Sequence, residues 1–275
     1  MKQFVQEERM HSAPSNNETE LWALKLFNKS PLKQRKLFKI LAMLGESYKF
    51  ENKTCLDIGS DNGVISYLLR KRGGTWHSAD LIPETVESIK SLVHSNVHQI
   101  DGETLPFEDK QFDLVIIVDF LEHISTDRAL ISELHRTIKN DGTLVVNVPN
   151  PKEGFLRWLK NRIGQTDAAH GHLRPGYSLD QIKILVGDKF EIVTYHSYGR
   201  IFSEIFDTAM TFLLDIVKGR RGKKGTVVTA NDMRSHKKSF KIYSMVAPLL
   251  FILVKLDDFI PFLHGNMLIL NLRRR

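Results

Sequence analysis

Thr54-Cys55-Leu56-Asp57-Ile58-Gly59-Ser60-Asp61-Asn62-Gly63, residues 54–63, is the stretch from which the architecture can be read. Thr54–Ile58 has the composition of a short buried strand and stops at Gly59. Gly63–Lys71 then reads as a helix closed by Gly73-Gly74. A glycine-bearing turn that leads a strand into a helix N-terminus leaves backbone N–H groups open to a ligand, with no Cβ in the way. The same alternation continues downstream. Thr75–Ala79 reads as a strand stopping at Asp80, Pro83–Val93 as a helix with proline in its first turn, and Val97–Ile100 as a strand ending at Asp101-Gly102. Phe112–Val118 (FDLVIIV) is a nearly continuous apolar run, as expected of a central strand covered on both faces. Thr126–Lys139 reads as a helix, Asn140-Asp141-Gly142 as a turn, and Thr143–Val148 as the next strand. Strands alternating with helices predict βαβ units and a parallel sheet, an α/β fold.

Upstream, residues 1–17 are polar and read as a loose N-terminal arm. Residues 18–47 follow as two helices. One covers about Glu18–Asn28, and the other starts at Ser30-Pro31 and carries Leu37, Ile40, Leu41 and Leu44 at helical spacing. Beyond Pro149, the pattern predicts a helix over Lys152–Ile163, a capped helix over Ser178–Val186 and a strand over Phe190–Tyr195. Ile201–Val217 reads as a long apolar helix with Glu204, Thr208, Thr211 and Asp215 on one side. A basic stretch, 218–241, precedes the apolar run Tyr243–Leu256, and Met267–Leu272 is the last strand.

Composition sets outer limits. The chain has 275 residues, 42% of them hydrophobic and 26% charged, enough apolar material for a packed core. Its single cysteine, Cys55, forms no internal disulfide, which excludes a disulfide-stabilised scaffold and suits a reducing cytoplasm. The opening MKQFVQEERMHSAPSNNE has no apolar core of the kind a secretory signal needs. Met245–Val254 is ten apolar residues interrupted by Pro248, too short to span a bilayer, which takes about 20.

Four acidic residues stand at consecutive strand ends: Asp57, Asp80, Asp101 and Asp119. In an open parallel sheet the ligand lies outside the carboxyl ends of the strands. Four carboxylates there point to a ligand offering hydroxyl and amine donors. Either Asp57 or Asp101 could instead serve as a helix or turn cap.

From about Lys53 to Pro151 the chain resembles the class I S-adenosylmethionine-dependent methyltransferases. The resemblance rests on D-I-G-S-D-N-G at 57–63, Ser78-Ala79-Asp80, the run Asp101–Phe107, Phe112-Asp113-Leu114-Val115, Phe120–Ile124 and Lys139–Leu144, in that order. It implies a Rossmann-like, doubly wound sheet of seven strands, mostly parallel with an antiparallel last strand. The closing hairpin would be Phe190–Tyr195 with Met267–Leu272, so that 18–199 and 263–275 form the methyltransferase domain and 200–262 a helical, basic insertion. S-adenosylmethionine is the implied cofactor. The resemblance assigns it Asp57, Gly59, Ser60, Asp61 and Gly63 in the first loop, Asp80 and Leu81 at the ribose, Asp101 and Gly102 at the adenine, and Asp119. A carboxylate beside an ammonium and a sulfonium is favourable, whereas beside a pyrophosphate it is repelled. One position departs from the family's pattern. Asp61 stands where a middle glycine belongs, and its side chain either holds the methionine moiety off or hydrogen-bonds to it.

Methyl transfer needs in-line positioning, and a general base only where the acceptor carries a proton. His123 is the first candidate base and His172 the second. Asp119, Glu122 and His123 form a D-x-x-E-H cluster that resembles the acid and Glu-His arrangement of ubiquinone-type O-methyltransferases, where a divalent cation can assist. Its spacing is also ordinary helix geometry, and no metal site is assigned. Arg174 and Tyr177 lie on the rim where the family meets its acceptor and are the candidate substrate contacts. Tyr177 could equally be a hydrophobic staple before the helix capped by Ser178.

These residues predict methylation, most readily O-methylation, of a small-molecule or lipid-linked acceptor. Three alternatives stay open: a cofactor-binding protein without catalysis, a nucleic-acid methyltransferase and a nicotinamide-dependent reductase. The last is disfavoured by Asp57 at the phosphate position and by the lack of a G-x-G-x-x-G run. The net charge of +7 is unevenly placed. Residues 218–241 hold nine Lys or Arg against the single acid Asp232, and Arg273-Arg274-Arg275 adds three, which leaves a net −4 on the rest. A basic insertion beside apolar helices suits an anionic membrane surface, a peripheral site on the cytoplasmic side, better than a nucleic-acid groove, since its loop lacks interleaved aromatics. A lid or a homodimer contact is the other use for such helices.

Overall fold

Two helices, α1 (Asn16–Lys29) and α2 (Pro31–Leu44), precede the sheet. The Ser30 hydroxyl accepts from the Lys33 N–H at 3.4 Å, and Pro31 occupies the first turn, so the start of α2 follows the expected cap. The computed structural model describes residues 16–60, 62–151, 155–164, 166–167, 171–206, 208–209, 237–260 and 263–275. Of the expected arm over 1–17, residues 1–15 lie outside the described residues and Asn16 already opens α1; Asp61 and most of the basic stretch also lie outside.

The strands are β1 (Thr54–Ile58), β2 (Thr75–Asp80), β3 (Val97–Gln99), β4 (Phe112–Val118), β5 (Ile138–Pro149), β6 (Phe190–Tyr198) and β7 (Met267–Arg274). They form one seven-stranded sheet in the order β3-β2-β1-β4-β5-β7-β6. β1 to β5 run parallel, while β7 is antiparallel to both β5 and β6, as expected of the doubly wound sheet. The chain moves outward from β1 to β3 and then returns to β4, which puts a crevice at the carboxyl ends of β1 and β4.

α3 (Val64–Arg70), α4 (Pro83–Val93), α5 (Asp127–Thr137), α6 (Phe155–Arg162), α7 (Leu179–Val186) and α8 (Lys237–Leu256) make up the helical layers. β4 shows why its run is apolar throughout. Val115 and Ile117 face one core, with Leu130, Leu134 and Ile182 of α5 and α7. Leu114, Ile116 and Val118 face the other, with Ile40 of α2 and Ile65 and Leu69 of α3. A strand packed on both sides has no polar positions to spare.

One element differs from its sequence reading. The helix expected over Thr126–Lys139 ends at Thr137, and Asn140-Asp141-Gly142 is not a separate turn but part of β5. Phe112 pairs with Ile138 and Leu114 with Thr143, so an irregularity in the ladder absorbs the residues between. Asp141 takes the left-handed φ of +58°, and Asp113 accepts from Lys139 Nζ at 2.7 Å and the Thr54 N–H at 2.9 Å across the irregularity.

Between β6 and β7 the chain leaves the sheet. Residues 201–206 are helical, and α8 returns across α2. The expected helix Ile201–Val217 is described only as far as 209. Arg35 of α2 fastens this region: its guanidinium donates to the Val254 carbonyl at 2.6 Å and pairs with Asp257 and Asp258.

The first loop is set by glycine. Gly59 has φ +83°, and a Cβ there would sit 2.3 Å from the Val118 carbonyl oxygen. Gly63 caps α3 at φ +80°, with a Cβ position 2.8 Å from Ile89 Cα. Gly59→Ala is expected to lower unfolding free energy by at least about 2 kcal/mol, since left-handed backbone and a backbone clash both oppose it. Urea denaturation of both forms measures this, and a loss below about 0.5 kcal/mol would contradict the close approach.

Candidate active site

At the end of β1, Asp57 is fully buried. One carboxylate oxygen accepts from the Ser60 and Ser66 hydroxyls, the second bond at 2.5 Å, and the other accepts from Ser78 at 2.8 Å. Arg70 stands behind, donating to the Ser78 hydroxyl at 3.0 Å and the Trp76 carbonyl at 2.9 Å. Burial pushes the Asp57 carboxyl above its ordinary range, and the three serine hydroxyls pull in the opposite direction. The direct ligand contact expected of Asp57 is therefore corrected. With no exposed surface and both oxygens engaged, it ties the loop to β2 and α3, and Ser60 is spent on the same purpose.

Asp80 ends β2 at 7% exposure, and one oxygen accepts from the Ile82 N–H at 3.1 Å. A carboxylate has about four acceptor directions. Leu81 packs close to Gly102, whose φ is +82°. Asp101 is exposed and closes a turn: it accepts from the Glu103 and Thr104 N–H groups, each at 2.8 Å, and from the Thr104 hydroxyl at 2.9 Å. Those bonds, from Thr104 first, hold its carboxyl below the usual carboxylate range. The capping alternative for Asp101 thus describes the contacts it makes.

Beyond β4, Asp119 has a left-handed φ of +46°. It pairs with Lys36 of α2, and one oxygen accepts from Asn147 Nδ2 at 2.9 Å. Asn147 in turn accepts from the buried Tyr198 hydroxyl at 2.5 Å. Lys36, Asn147 and Tyr198 are site residues that sequence reasoning missed. The Lys36 contact joins positions 83 apart, and no local pattern signals it.

The 3-10 turn Leu121–His123 follows. Glu122 is fully buried, and neither carboxyl oxygen has a hydrogen-bond partner. Burial, with the nearby Asp119 charge adding to it, pushes Glu122 up to about 8. His123 Nδ1 lies 3.0 Å from the Gly171 carbonyl oxygen. A carbonyl only accepts, so Nδ1 carries the proton and Nε2 of the neutral ring carries the lone pair. The His172 ring stands edge-on to that of His123, centroids 4.8 Å apart at 85°. The structure thus brings the two predicted bases together, although they are 49 positions apart. Glu122, His123 and His172 can each direct a ligand atom to within 4.8 Å of the others, a set able to hold a metal ion.

Arg174 and Tyr177 serve a different end from the substrate contact expected of them. Tyr177 is 3% exposed, and its hydroxyl donates to Asp127 at 2.8 Å. Arg174 lies over the Tyr177 ring, pairs with Asp127 and donates to the Ile124 carbonyl at 3.0 Å. Together with the Leu173 N–H, which donates to the Glu122 carbonyl at 2.9 Å, they clamp this loop to the segment Leu121–Asp127. Tyr177 has little surface left for a substrate, whereas the Arg174 side chain keeps 30% exposure.

Residues 56–146 match a family model described as a methyltransferase domain. A ubiquinone biosynthesis O-methyltransferase of Hydrogenovibrio crunogenus is 29% identical over 106 residues, covering 36% of this chain and 44% of that protein. Its counterpart in Pseudomonas entomophila is 28% identical over 121 residues, covering 41% and 52%. The chain thus spans about half the length of these curated relatives. Among solved structures, phosphoethanolamine N-methyltransferase 2 of Haemonchus contortus, bound to S-adenosylhomocysteine, superposes with a TM-score of 0.56 at 16% identity, covering 93% of this chain and 57% of that one. The cyclase SpnF superposes equally well, TM-score 0.56 at 16% identity over 94% and 93%. Both likenesses concern the fold.

A carboxyl raised to about 8 in the folded protein, against about 4.3 in the unfolded chain, binds more protons when folded. Stability from Glu122 is complete below the lower value and lost as pH rises toward the upper one. Glu122→Gln, which copies the protonated form, is expected to gain several degrees in melting temperature relative to the parent as pH rises from 5.5 to 8.5, without added metal. Equal melting temperatures at both pH values would show that Glu122 is not held protonated.

Proposed function

We propose that this chain, which carries a class I S-adenosylmethionine-dependent methyltransferase domain, methylates a hydroxyl of a small-molecule or lipid-linked acceptor. When bound, the cofactor supplies an electrophilic methyl group on a sulfonium. The residues present fit it. Residues 57–63, 80–84 and 100–104 contain acids and no Lys or Arg, which suits a cationic nucleoside with hydroxyl and amine donors and opposes a pyrophosphate. Gly59 and Gly63 take positive φ and allow close backbone approach at the two ends of the first loop, where the backbone can meet the methionine end, while Asp61 between them lies outside the described residues. Asp80 is the acceptor for the ribose hydroxyls, and Asp101 with the Gly102 backbone lies where the adenine would rest.

The observation that carries the hydroxyl reading is the His123 bond to Gly171. It presents Nε2 as a proton acceptor at the end of β4, where an acceptor hydroxyl would be deprotonated as it attacks. Glu122 beneath it, held protonated by burial, does not compete for that proton at neutral pH. The ubiquinone-type relatives support O-methylation without fixing this chain's acceptor. A second reading is favoured by the convergence of Glu122, His123 and His172. A divalent cation held there would favour a vicinal, catechol-like hydroxyl pair.

S-adenosylhomocysteine is expected to raise the melting temperature, and NAD to leave it unchanged, because only a ligand of the native state stabilises it. Asp80→Asn should weaken S-adenosylhomocysteine binding by about tenfold or more in calorimetry, the scale of a lost charge-assisted hydrogen bond. His123→Ala should lower methyl transfer to a phenolic or catecholic acceptor by roughly 10²–10⁴-fold with cofactor affinity retained. Activity that survives His123→Ala would remove the base, and activity abolished by a chelator would select the cation reading.

A further inference from the structure

The region between β6 and β7 is built with its polarity reversed. In helical residues 201–206, Ser203 and Glu204 are buried, at 2% and 7% exposure, and so is Thr208 just beyond. Glu204 pairs with Lys160 at 3.1 Å, and the Thr208 hydroxyl donates to the Glu204 carbonyl at 2.7 Å. Asp257, fully buried, accepts from the N–H groups of Arg200, Phe202 and Ser203 at 2.8–3.2 Å and so caps this segment. Two apolar residues of the same segment are exposed, Ile201 by 38% and Ile205 by 47%, while Phe202 and Phe206 are half-buried. A helix of an ordinary soluble domain shows the opposite arrangement.

α8 completes the surface. Ala247, Leu250 and Val254 are buried on one side. Met245, Leu249, Ile252, Leu256 and Phe259 are exposed by 74, 55, 57, 37 and 79% on the other. The spacing of four, three and four keeps Met245, Leu249, Ile252 and Leu256 within one narrow stripe at 100° per residue, and Phe259 follows in the 3-10 turn Asp257–Phe259. By sequence, Lys238 and Lys241 precede Met245 and belong to the 218–241 stretch with its nine cations and one acid, of which 218–236 lies outside the described residues. Among the described residues no helix is long and apolar enough to cross a membrane.

We propose that this face is an interfacial surface for an anionic lipid bilayer, with the Met245–Phe259 stripe and Ile201 and Ile205 entering the headgroup boundary and the preceding cationic stretch drawn to the lipid phosphates. Apolar side chains on one helical face with flanking lysines are what interfacial binding requires. The sequence charge of 218–241, nine cations against one acid, complements anionic lipid and opposes a second, like-charged copy of the chain. Nucleic acid would draw the cations and leave the apolar stripe in water.

The test uses the full chain, without cofactor or acceptor, so that its outcome is independent of the methylation reading. Co-sedimentation is measured with vesicles of phosphatidylcholine alone and with about a third phosphatidylglycerol, at low and high salt. The chain should bind the anionic vesicles, release at high salt and bind the neutral ones at least about tenfold more weakly. Leu249→Glu/Ile252→Glu, on the exposed stripe, should weaken binding to anionic vesicles by about tenfold or more while the melting temperature is held. Leu249→Ala/Ile252→Ala should give an intermediate loss. No binding to anionic vesicles at low salt overturns the proposal, as does binding that the glutamates leave intact. A dimer in sedimentation velocity that the same glutamates dissociate assigns the stripe to self-association, and equally overturns it.

Discussion

The buried carboxylate of Asp57 is the constraint on which the rest of the site depends. It sits inside the sheet where an ionised group is costly, and it is tolerated because three hydroxyls converge on it from the loop, α3 and β2. Those three serines cannot satisfy it unless Ser60 turns back, Ser66 lies in the first helical turn and Ser78 faces β1. The requirement to satisfy Asp57 thus fixes the place of Ser60 and of the start of α3, and Gly59 makes this possible by lying against the Val118 carbonyl. Removing one donor leaves part of a buried charge unsatisfied, at a cost of about 1–3 kcal/mol.

From that frame the carboxyl edge of the sheet divides into two chemistries. On the β2–β3 side, Asp80 and Asp101 offer acceptors and no cation. On the β4–β5 side, Lys36, Asp119, Asn147 and Tyr198 form a continuous polar chain reaching from α2 into the sheet. Beside it lie Glu122 and the two histidines, with a loop clamped by Arg174 and Tyr177. The fold alone does not decide what this edge does, since a cyclase and an N-methyltransferase share it. The decision rests with side chains such as His123, whose tautomer is set by one carbonyl oxygen.

The same α2 that supplies Lys36 to the crevice supplies Arg35 to the insertion, one residue earlier, and so on a different side of the helix. The crevice and the reversed-polarity helices are therefore anchored to one element. A surface that sits on lipid would hold the crevice close to acceptors dissolved in that lipid, which is the physical link between a lipid-linked acceptor and an apolar face.

By itself, the amino-acid sequence determined the α/β alternation, the positions of β1, β4 and α4, the cap at Ser30 and the acidic strand ends, because each follows from short-range periodicity or from the chemistry of one or two residues. It also placed His123 and His172 among the candidate bases. It did not reveal that Asp57 turns inward, that Asn140–Gly142 continues β5, or that Arg174 and Tyr177 clamp a loop. Nor did it show which side of the 201–206 helix is buried: Glu204 and Thr208 read as sharing one side, and the structure places that side inside. Each of these depends on contacts between distant positions, such as Lys36 with Asp119 or Arg35 with Val254. Local pattern records only what a residue is and what lies near it in the chain, whereas desolvation and hydrogen-bond satisfaction depend on which surfaces meet, and only the tertiary structure decides that.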